Sequence, residues 1–103
     1  MTTSPPPKTF ISDLRPGRYA TIEVTVKKLE PAREVEQREG SKRKVRNGVL
    51  ADRTGEISVV LWGDEVGLIA EGEKVRVVEG WVKDYRGRPE ISLGRTGRVE
   101  KIS

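Results

Sequence analysis

The amino-acid sequence contains neither cysteine nor histidine. Without cysteine, a disulfide framework and a thiolate metal site are excluded. Without histidine, the chain lacks the commonest general base and the commonest metal ligand of proteins. Carboxylates could still perform acid–base chemistry, but the chain shows no constellation of nucleophile, base and orienting group. We therefore expect a binding protein with no catalytic residues, no metal and no cofactor.

Long apolar segments and side-chain amides are also scarce. No apolar run approaches the ~20 residues that span a bilayer, and residues 1–9 lack the apolar stretch of a secretory signal. Together with the missing cysteines, this predicts a soluble, cytoplasmic protein without a membrane partner. Charged residues make up 35% of the chain, whereas Gln37 and Asn47 are its only side-chain amides, a bias typical of proteins adapted to heat.

The length of 103 residues suits one domain with one hydrophobic core. Three consecutive prolines near the start predict a disordered or polyproline-like segment over residues 1–9. The folded domain is accordingly expected over residues 10–103. The net charge of +4 permits a polyanionic partner but does not establish one, so the distribution of the cations matters more than their sum.

Apolar and polar residues alternate with a period of two along much of the chain, which predicts β-strands. Between the first two of them, the highly charged segment 30–43 is expected to project as a mobile hairpin or loop. Residues 64–70 are predicted to form one or two helical turns capped by Asp64. The strands are expected at 19–29, 44–51, 56–62, 74–82 and 89–93, the last resuming at 97–102.

Five strands with a short helix between the third and the fourth are typical of the OB-fold, an all-β, five-stranded antiparallel barrel. An SH3-like barrel is the structural alternative, but it has no helix at that point. A nuclease is disfavoured because the chain has no histidine and no carboxylate cluster. The side chains that alternation places in the core include Ile57, Val59, Leu61, Val75 and Val77.

The aromatic residues are few, and three of them stand at strand ends. Strand parity points Trp62 away from the core, unless a bulge turns it inward as a core plug. Trp81 and Tyr85 flank the tip of the hairpin between the fourth and fifth strands, where little core volume exists. A slip in parity near Gly80 predicts a bulge and leaves the face of Trp81 open. Exposed aromatics in this arrangement form a surface on which nucleic-acid bases can stack.

Basic residues concentrate in two segments, 33–46 and 83–98. In an OB-fold these are the loop between the first two strands and the hairpin between the last two, which border one binding face. A single charged run is usually a solvated loop, but two such runs beside aromatics predict a phosphate-binding groove. The cations expected to contact nucleic acid are Arg33, Lys42, Arg43, Lys44, Arg46, Lys83, Arg86 and Arg88.

Two runs of the sequence resemble the OB-fold family of archaeal single-stranded DNA-binding proteins and replication protein A. The run 47–63 holds an Asp-x-Thr-Gly turn between two strands and ends in Leu-Trp-Gly. The run 80–87 holds an aromatic, a second aromatic four residues on, and a glycine two residues later. With a similar opening at Ile11 to Gly17, the resemblance covers about residues 10–102.

The resemblance implies roles for particular residues. Trp62, Trp81 and Tyr85 match aromatics that stack on bases in the family, and Arg33 and the Lys42–Arg43 region match residues that contact the strand. Some relatives carry a further aromatic where this chain has Ser92, which implies a smaller stacking platform here.

Residues and resemblance together predict a domain that binds and protects single-stranded DNA with little sequence preference. The resemblance implies a role in replication, recombination or repair and an association with the nucleoid. An RNA-binding OB domain is one alternative, because stacking and phosphate contacts do not separate RNA from DNA. A protein–protein OB module of a larger replication complex is another. Replication or repair proteins are further candidate partners, and a monomer is expected.

Overall fold

The computed structural model describes residues 9–94 and 96–102, so most of the predicted proline-rich segment, residues 1–8, lies outside the described residues. Within the described residues, no helix is long and apolar enough to cross a membrane. The elements are strands β1 (Arg18–Leu29), β2 (Arg33–Glu36), β3 (Lys42–Asp52), β4 (Gly55–Trp62), β5 (Lys74–Tyr85), β6 (Arg88–Ser92) and β7 (Arg98–Lys101), with short 3-10 helices at Ile11–Asp13 and Gly63–Gly67.

The strands β1, β3, β4, β6 and β5 pair in that order, and β5 pairs back with β1 to close a barrel. The barrel confirms the predicted all-β OB-fold. It is not wholly antiparallel as expected, because β4 and β6 run parallel to each other. The strand β2 pairs only with β3, and β7 extends the sheet beside β5.

The core of the barrel is built from aliphatic side chains at alternate strand positions. The five core residues predicted from the sequence are at most 3% exposed: Ile57, Val59, Leu61, Val75 and Val77. The same alternation buries Ile22, Val24 and Val26 of β1. Because inward positions are taken by aliphatics, the opposite positions of each strand form the outer surface on which larger polar and aromatic side chains lie.

The charged segment after β1 forms a hairpin, residues 33–44, which we call the arm. Here β2 pairs with the first residues of β3, from Arg33 opposite Val45 to Glu36 opposite Lys42. The turn is closed by the Gln37 N–H, which donates to the Ser41 carbonyl at 2.8 Å. The predicted projecting hairpin is therefore present as two paired strands.

The segment between β4 and β5 differs from the helical turns predicted for residues 64–70. Only a 3-10 helix forms, from Gly63 to Gly67, and Asp64 lies inside it rather than at its start. The predicted Asp64 cap is therefore wrong. Instead, the Glu65 carboxylate accepts a hydrogen bond of 2.9 Å from the backbone N–H of Trp62. The side chain of Glu65 thus holds the backbone of Trp62 where β4 ends.

Asp52 closes the turn between β3 and β4 and ties it to the first 3-10 helix. Its Oδ1 accepts from the N–H groups of Thr54 at 2.7 Å and Gly55 at 3.2 Å, and its Oδ2 accepts from Ile11 N–H at 2.9 Å. Burial alone would raise the pKa of Asp52, but these bonds and one from the Thr54 hydroxyl outweigh it, so the pKa lies below its ordinary value.

We expect Asp52→Ala to lower the free energy of unfolding at neutral pH by about 1–3 kcal/mol, because three backbone N–H groups lose their acceptor. Since the folded pKa lies below 3.8, the stabilisation by the carboxylate is present above that pH and is lost as the pH falls through the folded value. Urea unfolding should therefore show the wild-type advantage shrinking in acid. Asp64→Ala, which removes an exposed carboxylate, should have little effect at either pH, and an equal loss in both variants would contradict this role.

Candidate nucleic-acid interface

One outer face of the barrel carries a continuous row of side chains across five strands. Residues that are partners in adjacent strands project on the same side of a sheet. The row consists of Asn47, Val60, Ser92, Trp81 and Tyr19, each paired with the next in the sheet register. The residues in the middle of the row, Val60 and Ser92, have short side chains. The surface is therefore lower there than at Trp81 and Tyr19, which form the aromatic end of the row.

A groove of about 320 Å³ opens on this face between the arm and the β5–β6 hairpin. A neighbouring depression of about 290 Å³ shares three of its lining residues, Asn47, Tyr85 and Glu90, so the two are continuous. We use "the groove" for both together. The first part is lined by Arg33, Val35, Val45, Asn47, Val60, Trp62, Lys83, Tyr85 and Glu90.

Trp62 lies on the outer face, as strand parity predicted. Its register partner is Val45 at the base of the arm, and its ring remains partly exposed in the groove. The Arg43 guanidinium lies 5.1 Å from the centre of the ring, within the range of a cation–π interaction. The indole therefore offers an aromatic surface next to a positive charge.

The position of Trp81 is set by a bulge in β5. The register between β1 and β5 shifts between Ala20 and Ile22, and Glu79 has a positive φ of 54°. This shift reverses the parity of β5, so Trp81 points outward and is partly exposed, whereas Val82 is fully buried. The bulge predicted near Gly80 is present, and it resolves the open orientation of Trp81 in favour of the outer face.

Tyr19 is an aromatic of this face that sequence reasoning missed. It is 58% exposed, and its ring centre lies 5.0 Å from that of Trp81 at an angle of 57°. Tyr19 stands on the polar side of β1, in phase with Thr21 and Glu23. This alternation is visible in the sequence, and it indicates that Tyr19 lies on the outer side of β1.

Tyr85 is held at the end of β5 by a two-residue turn. Arg86 and Gly87 both have positive φ, 53° and 83°, as in the tight type I′ turns of β-hairpins. Tyr85 is 50% exposed and lines the groove, and the Arg86 guanidinium lies 5.4 Å from the ring centre. Arg88, the register partner of Tyr85, lines a further depression with Val49.

The structure brings only some of the predicted cations to the groove. Arg33 and Lys83 line it, and Arg43 borders it over Trp62. Both lining cations have partners, because Arg33 donates to Asn47 Oδ1 at 3.3 Å and Lys83 Nζ lies 3.5 Å from Glu90 Oε1.

Three predicted cations lie on the other face of β3. Lys42, Lys44 and Arg46 alternate with the residues that face the groove. The Arg46 guanidinium donates to the backbone carbonyls of Glu30 at 2.7 Å and Val66 at 3.2 Å. Arg46 therefore braces the loop after β1 against the second 3-10 helix, and the structure does not bring it to the groove.

Glu90, which lines the groove, is another residue of this face that sequence reasoning missed. Among the described residues it is the one charged residue that is buried, with 8% of the whole residue exposed. The sequence offered no signal for it, because its place beside Ser58 depends on the parallel pairing of β4 with β6. Among the described residues, no three His, Cys, Asp or Glu side chains come together as a metal site.

The closed barrel and the groove on its face define an OB-fold binding domain. Within that class, the chain belongs to the family of Ssb-like single-stranded DNA-binding proteins with an OB fold, whose family model matches residues 16–101. This membership confirms the resemblance drawn from the two sequence runs. It also agrees with the prediction of a binding domain rather than an enzyme.

Particular relatives support the same assignment. Ssb of Saccharolobus solfataricus, a single-stranded DNA-binding protein, is 27% identical over 95 residues, which are 90% of this chain and 63% of that protein. Replication factor A of Methanothermobacter thermautotrophicus is 30% identical over 96 residues, 89% of this chain but 12% of that protein. The second OB-fold domain of replication protein A from Methanococcus maripaludis has a TM-score of 0.78 and 28% identity, and the match covers 93% of this chain and 95% of that one.

We expect Gly80→Ala to destabilise the domain by about 1–3 kcal/mol, the usual effect of overpacking a core. A Cβ at Gly80 would lie 2.8 Å from Ile91 Cδ1 and 2.9 Å from Val77 Cγ1. Gly67→Ala is the matched control, because a Cβ there meets nothing within 4 Å. Thermal unfolding of both variants tests the pair, and equal stability would contradict a close-packed bulge.

Proposed function

We propose that this domain binds single-stranded DNA by stacking bases on exposed aromatics while cations beside them contact phosphates. The observation that supports this most is the groove, where Trp62 and Tyr85 share a surface with Arg33 and Lys83. Stacking works with any base, since every base has a π-face, and is worth roughly 1–3 kcal/mol per base. Binding with little sequence preference follows from this chemistry.

Protection of exposed strands during replication, recombination or repair is the role that we propose for this binding. Trp81 and Tyr19 lie beyond the groove on the same face and would extend the path of the bound DNA. Association with the nucleoid, and with replication or repair proteins, belongs to the same proposal. The domain is proposed to act as a monomer.

A tryptophan-fluorescence titration with oligothymidine at two salt concentrations tests the proposal directly. Base stacking on Trp62 and Trp81 should quench the fluorescence, and higher salt should weaken binding because phosphate contacts release counterions. Competition by an RNA of matching sequence separates a DNA-binding domain from an RNA-binding one. No quenching by either nucleic acid would favour a protein–protein module instead.

Single substitutions of the aromatics should weaken binding without unfolding the barrel. We expect Trp62→Ala, Tyr85→Ala and Tyr19→Ala each to reduce affinity by roughly 1–3 kcal/mol, the worth of a stacked base. Trp81→Ala should do the same, and both tryptophan variants should also lower stability, because Trp62 and Trp81 are each partly buried. Phe10→Ala is the control: Phe10 also packs against an arginine, Arg53, at 4.8 Å, but lies outside the groove. A loss of stability with normal binding in all four variants would contradict the stacking surface.

Neighbouring cations of β3 should differ in their effect on binding. Arg43→Gln removes a charge above Trp62 and should reduce the slope of log affinity against log salt by about 0.7, the value for one phosphate contact. Lys44→Gln removes an equal charge from the opposite face, where Lys44 is the register partner of Glu34, and should leave the slope nearly unchanged. If both variants show the same slope of log affinity against log salt, the phosphates of the bound DNA do not lie along the groove face.

A further inference from the structure

Glu90 places a negative charge in a groove whose proposed ligand is itself a polyanion. Its side chain is 11% exposed, and it lines both parts of the groove. Its register partners are Ser58 on β4 and Lys83 on β5, so it lies in the middle of the binding face. A carboxylate at this position repels a phosphate, so we expect a base rather than a phosphate of the bound DNA to lie beside it.

The carboxylate of Glu90 is only partly satisfied by the protein. Among the described residues, Lys83 is its one polar partner, with Nζ 3.5 Å from Oε1. In the part of the chain that the structure describes, no hydrogen bond or ion pair engages the second oxygen, Oε2, so it can accept a hydrogen bond from a ligand in the groove. Because Lys83 is 46% exposed along its side chain, it can balance the charge of Glu90 without closing access to it.

We propose that Glu90 accepts a hydrogen bond from the exocyclic amino group of a base in the groove and so favours cytosine over thymine at one position. The proposal rests on the proposed binding of single-stranded DNA. Cytosine presents an N4 amino donor, which glutamate can accept. Thymine presents the O4 carbonyl at the same place, and two acceptors facing each other in a buried site repel. At the other positions of the bound DNA, stacking accepts any base, whereas at this one position Glu90 distinguishes cytosine from thymine.

The experiment compares oligodeoxycytidine, oligothymidine and oligodeoxyuridine of one length, at a slightly alkaline pH, by fluorescence titration. Wild type should bind the cytidine ligand about tenfold more tightly than thymidine, the effect of one hydrogen bond to a charged group. Deoxyuridine lacks the thymine methyl group but keeps the carbonyl. It should therefore bind like thymidine if the amino group decides, and like cytidine if the methyl group decides.

Glu90→Gln is the test variant, because its amide both donates and accepts and so suits neither base in particular. The cytidine-to-thymidine affinity ratio should fall from about tenfold to near one. Glu73→Gln is the matched control: Glu73 is also paired with a lysine, Lys101, at 2.7 Å, but lies outside the groove. It should keep the wild-type ratio. If Glu90→Gln does not fold, Glu90→Thr, with a small strand-compatible side chain, replaces it.

The outcomes separate this inference from the function on which it rests. A ratio that is the same in wild type, Glu90→Gln and Glu73→Gln overturns the role of Glu90 while leaving DNA binding in place. Deoxyuridine that binds like cytidine overturns it as well, because the methyl group then explains the preference. If no oligonucleotide binds wild type, the proposed function fails and the inference fails with it. A loss of the ratio in Glu90→Gln alone supports it.

Discussion

The bulge at Glu79 and Gly80 decides which side chains of β5 reach the outer face that carries the groove. Before the bulge, Val75 and Val77 point into the barrel; after it, Gly80 and Val82 do. The residues that alternate with this second pair, Trp81, Lys83 and Tyr85, are therefore turned outward. Without the extra residue, an unbroken strand would direct them into a core that has no space for a tryptophan, a lysine and a tyrosine. The conformation is close-packed, since a Cβ on Gly80 would lie 2.8 Å from Ile91 Cδ1.

On the outer face that carries the groove, arginine side chains lie over two of the aromatic rings. This arrangement affects how single-stranded DNA would bind. Arg43 lies over Trp62 and Arg86 over Tyr85. An exposed cation–π contact is worth about 0.5–1 kcal/mol, whereas a stacked base is worth roughly 1–3 kcal/mol. A base can therefore displace the guanidinium from the ring at a net gain. The displaced arginine would remain next to the base, where its guanidinium can contact the phosphate of the same nucleotide.

Much of the barrel could be predicted from the sequence, because local alternation determines which side of a strand is buried. Ile57, Val59 and Leu61 follow a strict period of two, and the structure buries all three. The parallel pairing of β4 with β6 could not be predicted, since register between strands distant in sequence depends on how the whole barrel closes. For the same reason, the position of Glu90 in the groove could not be predicted from the sequence.

The parts of the candidate site that follow strand parity could be predicted from the sequence. Parity placed Trp62 on the outer face, and the structure agrees. The cations of β3 follow the same rule, because Lys42 and Lys44 continue a strand pattern that separates them from Arg43. Tyr19 follows it too, since it alternates with Ala20 and is in phase with Thr21 on the outer side of β1. The assignment of these residues to DNA contacts stays a prediction.

The size of the residues in the middle of the face explains why it has a groove rather than a flat aromatic platform. Val60 and Ser92 lie between Asn47 and the aromatic pair Trp81 and Tyr19 in the row that crosses the barrel. Because these two side chains are short, the floor is lower there, and Glu90 beside them remains accessible at the bottom. A large aromatic at Ser92 would add a stacking surface but would fill this space. The short side chains thus leave less aromatic surface than a chain with that aromatic would have, and under the proposed function the polar side chains of the groove can contact the edge of a base.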